Sequence, residues 1–177
     1  MNPDNLLDFL SIAGKLKELP RTGWVDSGVD APESVADHSY RTALTAMILS
    51  DSMGLDSCKV MRMALLHDLA EAETGDIIPM MKQSNHLEME NKAMGQVLAG
   101  LDEPQRKLYW ETWMEYQGKE TKEAILVHDA DKIDMLLQVN EYNRKSPNDL
   151  LNRFWHAKVS SMNKEIKDKL LERRGAT

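Results

Sequence analysis

Cysteine is nearly absent. Cys58 stands alone in 177 residues, which excludes an internal disulfide and any thiolate zinc knuckle and makes a reducing, cytoplasmic setting the expectation. Basic charge is in deficit as well. Lysine and arginine number 22 against 29 acidic residues, a formal net charge of −7, and a surface of that sign opposes non-specific binding to nucleic acid or to an anionic membrane. It leaves room for a small phosphorylated ligand held by one or two local cations. No segment approaches the roughly 18 consecutive apolar residues of a membrane span, and the start Met1-Asn2-Pro3-Asp4-Asn5 lacks the basic and then apolar order of a secretory signal. A soluble, unprocessed protein is expected. Glycine (9) and proline (6) are sparse beside twelve methionines, with 42% hydrophobic and 29% charged residues, a composition that suits a mainly helical soluble fold. The length corresponds to one domain, residues 1–177, able to bury a core without staples. No internal repeat, low-complexity run or useful strand-like alternation interrupts this picture.

Apolar spacing predicts a series of helices. Leu6, Leu7, Leu10, Ala13, Leu16 and Leu19, with Ile12 out of register, mark a first amphipathic helix over 5–19 that stops at Pro20. A long connection follows to Glu33, and connections of that length in compact domains usually have a task. Ser34-Val35-Ala36-Asp37 has the form of a capping box and opens a helix through about Met53, closed by Gly54. Asp56 caps the next, expected to run to about Thr74. Further helices are predicted over 85–101, carrying Leu87, over 104–116, carrying Leu108, and over 119–144, broken by Ser146-Pro147. A helical extension follows over 148–173.

Within the helix after Asp56, Val60, Met63 and Ala64 form a core-facing stripe that His67, Asp68 and Glu71 continue. Polar groups aimed at a core need partners, because burying one without them costs about 2–7 kcal/mol. A metal ion satisfies His and Asp together; a hydrogen-bonded core histidine beside a solvent-facing Asp is the plainer reading of that pair alone. His38 lies in the first turns of its helix on a face with Val35, Thr42, Thr45 and Leu49, where a single His is more often structural. Asp76, on the Gly75 turn one helical turn beyond Glu71, is close enough to serve the same site or is an ordinary turn aspartate. Arg21 and Trp24 read separately as a solvated charge and a core plug, and together as groups that hold a phosphate and stack on a ring. His38, His67-Asp68 and an Asp from 128–134 make a mixed nitrogen and oxygen set suited to Mn, Fe, Co, Ni, Zn or Mg, with open positions where such an ion polarises a phosphoryl oxygen and lowers the pKa of water.

The order His, His-Asp, Asp on helices resembles the HD-domain metal-dependent phosphohydrolases. Glu33-Ser34-Val35-Ala36-Asp37-His38-Ser39, His67-Asp68-Leu69-Ala70-Glu71, Gly75-Asp76-Ile77 and Asp129-Ala130-Asp131-Lys132 are similar to the branch that contains the 5'-deoxynucleotidases, over roughly 21–142. The resemblance implies an all-α single helical bundle with the metal site between its core helices. It also implies a divalent cofactor on His38, His67, Asp68 and Asp131, with Glu71 as catalytic acid and Asp76 in the catalytic turn. Arg21, Trp24, Asp76 and Ile77 would contact substrate. Periodicity does not choose Asp131 over Asp129 or Asp134; the resemblance does. In the nucleotidases the tryptophan follows the arginine directly, whereas Thr22 and Gly23 intervene here.

The implied reaction is hydrolysis of a deoxyribonucleoside 5'-monophosphate to nucleoside and phosphate. Two other readings compete with it. One keeps the site but takes a nucleoside triphosphate, an alarmone or a cyclic nucleotide; it asks for more cations than Arg21, Arg41 and Lys132. The other is a non-catalytic interaction module with a structural metal, for which Glu71 and Asp76 have no use. A homodimer is expected from the resemblance, compatible with aromatic helices around Trp110, Trp113 and Trp155.

Overall fold

Capping chemistry places the first long helix where the sequence puts it. In the computed structural model, which describes residues 2–174, the Ser34 side chain accepts from the Asp37 N–H while Asp37 answers the Ser34 N–H. Helix α3 (Val35–Met53) then runs to Gly54, whose left-handed φ of 66° closes it. The ends of the expected domain, Met1 and 175–177, lie outside the described residues. The elements before it are α1 (Pro3–Gly14), a 3-10 turn (Lys15–Lys17) and the short α2 (Thr22–Asp26). After α3 come α4 (Ser57–Leu66), α5 (Glu71–Thr74), α6 (His86–Leu98), α7 (Glu103–Gly118) and α8 (Lys122–Lys145), then a 3-10 stretch (Asp149–His156) and α9 (Lys164–Glu172). The fold is all-α; among the described residues the only extended pairing is a single bridge between Pro20 and Ser34.

Helix α3 packs chiefly on α8 and α4, and two apolar clusters meet along α8. The first gathers Val35, Ala46, Val60, Met63, Leu66, Met94, Leu98, Trp113 and, from α8, Ala124 to Ala130. The second gathers Trp24, Leu151, Trp155 and Leu170 around Ile133, Leu136, Val139 and Tyr142. Asp131 and Asp134 fall at the join, so the functional side chains sit on a polar seam between two dry cores.

Four expectations need correction. The face of α1 that meets the core is Phe9, Ile12 and Ala13, continued by Leu16 and Leu19, while Leu7 and Leu10 are exposed; Ile12 is therefore in register. Spacing of three, four and seven residues from Phe9 wins because it alone continues through the 3-10 turn into the core. Leu87 and Leu108, expected to mark buried faces, are exposed as well. The helix after Asp56 stops at Leu66 instead of reaching Thr74. The extension 148–173 is not one helix: Asn148 caps a 3-10 stretch, accepting from Leu150 N–H at 3.0 Å, and α9 starts only at Lys164. The long connection 20–33, by contrast, is folded around α2.

The C-terminal segment is tied to α8 by one buried carboxylate. Asp129 accepts from the Ser160 N–H (2.8 Å), the Ser160 hydroxyl and the Asn163 side-chain amide (2.9 Å). Asp129→Ala strands these donors and is expected to lower stability by about 2–4 kcal/mol. Amide exchange over 157–172 should accelerate before that of α3 and α4.

Candidate active site

Adjacent residues of a continuous α-helix point about 100° apart, so His67 and Asp68 cannot both face one spot from within one. The chain leaves the α-helix at that pair. Leu69, Glu71 and Ala72 N–H groups bond three residues back, to Leu66, Asp68 and Leu69 carbonyls at 3.1, 3.0 and 3.2 Å, and this tighter path turns His67, Asp68 and Glu71 inward together. His67 Nδ1 donates to the Ala64 carbonyl at 2.6 Å, leaving Nε2 free to face Asp68 Oδ2 at 3.1 Å. From α3, His38 Nε2 lies 3.6 Å from Asp68 Oδ2 and 3.3 Å from Asp131 Oδ1. Donor atoms of His38, His67 and Asp68 all lie within 4.8 Å of one another; Asp131 stands just outside that tight group and meets it through His38.

Three aspartates of α8 have three different surroundings. Asp131 faces the site. Asp134 sits behind it, its Oδ2 2.7 Å from His38 Nδ1, and also receives Arg41 Nε. Asp129 points away to the C-terminal segment. Arg41 spends its remaining N–H groups on Glu141 (3.0 and 2.8 Å) and Gln138 (2.6 Å), which removes it from the cations available to a substrate. Sequence spacing alone does not separate these roles, although the three-residue step from Asp131 to Asp134 is a signal for a supporting carboxylate.

Arg21 aims its guanidinium into the same cluster, 3.2 Å from Asp68, 3.8 Å from Asp76 and 4.0 Å from Asp131. Its position is held by the Asp76 turn. Gly75, at φ 75° and ψ 163°, takes a backbone conformation that is nearly confined to glycine; beyond it Asp76 Oδ2 accepts the Thr22 N–H at 2.5 Å while the Thr22 hydroxyl donates to the Asp76 carbonyl at 2.6 Å. Ile77 lines the adjoining cavity. Trp24 lines it as well but is 2% exposed. Its indole N–H donates to Glu33 at 3.0 Å, and its ring packs on Tyr142 and Phe154 with centroids 5.4 and 4.5 Å away. Trp24 is a wall of the core, and the expected stacking on a substrate ring is corrected accordingly.

The cavity measures about 410 Å³. Its lining includes Lys82, Glu90, Tyr116, Gln117, Lys119, His128, Lys132, Met135 and Phe154, of which the sequence brought His128 and Lys132 near the motifs. The cation shortage held against multiply charged substrates therefore does not apply. His128 and Met135 share the α8 face of Asp131 at helical spacing, and that periodicity was the available signal.

Electrostatics distinguish the carboxylates. Burial opposes ionisation of Asp68, yet His67, Arg21 and His38 outweigh it and hold the group well below the usual carboxylate range. Burial acts on Asp131 in the same sense and is overcome by His38, His67 and Arg21, so its pKa falls to about 2. Glu71 goes the other way: burial, then the Asp68 and Asp76 charges, push it well above the ordinary value. Burial and Arg21 disfavour charge on His38, but Asp131 and Asp134 prevail and raise it to about 9. The residues present fit a divalent cation, since His67 Nε2 and Glu71 Oε2 are buried without a hydrogen-bond partner and the imidazole among carboxylates is the donor set of a first-row metal.

An all-helical chain with two imidazoles and flanking carboxylates gathered at one buried seam is a metal-site protein of the histidine–aspartate class. The chain belongs to the HD-domain family, whose profile matches residues 13–173, and it is a metal-dependent phosphohydrolase. A protein named 5'-deoxynucleotidase HDDC2 in Dictyostelium discoideum is 41% identical over 158 residues, 84% of this chain and 83% of that protein. Its human namesake is 43% identical over 141 residues, 78% and 68% respectively. A conserved hypothetical protein from Pyrococcus furiosus superposes with a TM-score of 0.80 at 36% identity, over 94% of this chain and 99% of the other.

Loading the metal-free protein at pH 7.5 should release about one proton, because a ligating imidazole must be neutral. The sign follows from the raised His38 pKa: a proton held up to about pH 9 is displaced by the ion, so metal affinity rises with pH through that range. Calorimetry in buffers of different ionisation enthalpy measures the release. Asp134→Ala removes the partner that orients His38, and should weaken metal binding by about 10–100-fold.

Proposed function

We propose that the protein hydrolyses deoxyribonucleoside 5'-monophosphates to deoxyribonucleoside and inorganic phosphate. The observation that carries this reading is Arg21, a guanidinium set against Asp68 and Asp131 in a cavity of about 410 Å³ that Glu71 also lines, a volume in the range of small-ligand sites. The names of the relatives support the same substrate class.

In this reading His38, His67, Asp68 and Asp131 hold the divalent ion. When bound, the ion supplies Lewis acidity toward a phosphoryl oxygen and lowers the pKa of water. Arg21 binds the remaining phosphoryl oxygens, and its forked N–H groups stabilise the charge that grows on them in the transition state. Glu71, which burial and its acidic neighbours make a weaker acid than an ordinary carboxyl, would hand a proton to the departing 5'-oxygen. Asp76 acts as a positioning residue, since its carboxylate is engaged by Thr22 and lies beside Arg21. Ile77 and the Trp24 wall bound the substrate without polar contact.

A homodimer and a cytoplasmic setting go with this reading. Of the expected aromatic surface, Trp113 and Trp155 are buried, at 2% and 6% exposed, and only Trp110 is partly open, which is weak support for the dimer. Tyr40, Leu44 and Ile48 support it better, being exposed at four-residue steps along α3. Light scattering after size exclusion tests the assembly.

Phosphate release from each deoxyribonucleoside monophosphate, with Mn, Co or Mg added, tests the reaction. Glu71→Gln is expected to lower kcat by about 10²–10⁴-fold with metal content unchanged, and Arg21→Ala to lower kcat/KM by about 10²–10³-fold. Pyrophosphate or tripolyphosphate as the product would replace the monoesterase with a polyphosphate hydrolase. A metal-loaded protein inert on every phosphoester would support the binding module.

A further inference from the structure

Lys119 and Lys132 share a corner of the cavity that the hydrolysis of a monophosphate does not use. Both line it. Neither makes an ion pair with a carboxylate among the described residues, although the chain carries seven more acidic than basic side chains. The third lysine of the lining differs on each count: Lys82 is paired with Glu90 at 3.2 Å and acts on Glu71. Lys119 and Lys132, which line the cavity together with His128, act instead on that imidazole, from within electrostatic reach of it.

The corner is rigid. His128 stacks on Tyr116 with centroids 4.0 Å apart and planes 15° from parallel, and its Nε2–H donates to the Tyr116 carbonyl at 2.9 Å. Burial is the main reason that its pKa falls to about 4, and both lysines push in the same direction. The imidazole is therefore neutral and does not itself account for the charge gathered near it. Lys119 adopts φ 56°, a left-handed conformation that disfavours side chains other than glycine and asparagine. The favourable interaction of a cation with a helix C-terminus explains a lysine at the end of α7, but not Lys132 in the middle of α8.

Tyr116 also links this corner to the metal set. His67 meets it edge to face with centroids 5.9 Å apart, so the His67 and His128 rings both contact the Tyr116 ring and stand within about 10 Å of each other. A charge bound at the lysines is thus displaced from the reacting phosphate toward His128. A contiguous triphosphate would need cations in an unbroken track, whereas a nucleoside spans such a gap with its sugar.

We propose that Lys119 and Lys132 form a subsite for a 3'-phosphate, so that the enzyme prefers 5'-phosphorylated deoxynucleotides bearing a second phosphate on the 3'-oxygen. The ligand is either a deoxyribonucleoside 3',5'-bisphosphate or the 5'-phosphorylated end of a dinucleotide. Water then cleaves the 5'-ester, releasing inorganic phosphate and leaving the 3'-phosphate on the nucleoside. The inference rests on the phosphomonoesterase reading above.

The test compares the metal-loaded enzyme on a deoxyribonucleoside 5'-monophosphate, the 3',5'-bisphosphate of the same base and the 5'-phosphorylated dinucleotide. The expected result is a KM for at least one doubly phosphorylated substrate lower by about tenfold or more, the yield of one or two charge-assisted hydrogen bonds. Lys119→Gln with Lys132→Gln should abolish that preference and leave the monophosphate within about twofold, while Lys82→Gln should preserve it. A gain confined to the bisphosphate assigns the corner to a monoester dianion, and an equal gain with the dinucleotide assigns it to a diester. Equal KM values across the three substrates, or equal losses in the double variant, would overturn the subsite. If no substrate is hydrolysed, the phosphomonoesterase reading fails; calorimetric binding of the bisphosphate to the metal-loaded wild type and double variant still decides the subsite, since equal affinities would overturn it.

Discussion

His38 and Asp134 are both wholly buried and meet at 2.7 Å, joining the two helices that pack most closely, α3 and α8. Much else depends on this contact. It fixes the imidazole so that Nε2 faces Asp68 and Asp131, and it sets the rotation of α8 that turns Asp131 toward the site and Asp129 toward the C-terminal segment. A buried carboxylate would be costly there without compensation. Arg41 compensates from the outer side and is itself held by Glu141 and Gln138, so the ligand-bearing helices are locked from behind by a network that ends at the surface.

The inner side of the seam has the opposite character. Asp68, Glu71, Asp76 and Asp131 converge on one point, and the cation drawn in against three of them is Arg21. Self-repulsion of such a group is eased in two ways: the raised pKa of Glu71 favours its neutral form, and that of His38 favours its charged form. A divalent ion held by these residues would relieve it more completely and would leave Arg21 for an anion. Metal dependence in this fold is thus a consequence of how the carboxylates are crowded as well as of the donor set.

The capping box at Ser34, the stop at Gly54 and the long helices α3, α6, α7 and α8 were legible in the sequence, because caps and periodic stripes are local signals; Asp131 was singled out by the family resemblance and not by its spacing. The break after Leu66 was not legible. An apolar stripe that passes into His67, Asp68 and Glu71 reads as uninterrupted helix, and only the shared demand for convergence on one point, a tertiary requirement, tightens the backbone there. The choice between core plug and stacking group for Trp24 stayed open for a similar reason. Its neighbours Phe154 and Tyr142 lie more than a hundred residues away in the chain, so nothing near Trp24 reveals that its ring is already occupied. The α1 register failed because two overlapping leucine stripes were available, and the choice belongs to the surface that α1 meets.

The division of α8 between two cores explains why the polar cavity lies where it does. Ala124 to Ala130 serve one cluster and Ile133 to Tyr142 the other, and a helix that changes partners midway cannot keep an unbroken apolar stripe across the change. The residues at the join must be polar or be left half packed. Asp131 and Asp134 occupy that join, while His128 and Lys132 flank it on the cavity side. Polar side chains fall where the helix passes from one core to the other, which is why Asp131, Lys132 and Asp134 fit on α8 without breaking either core.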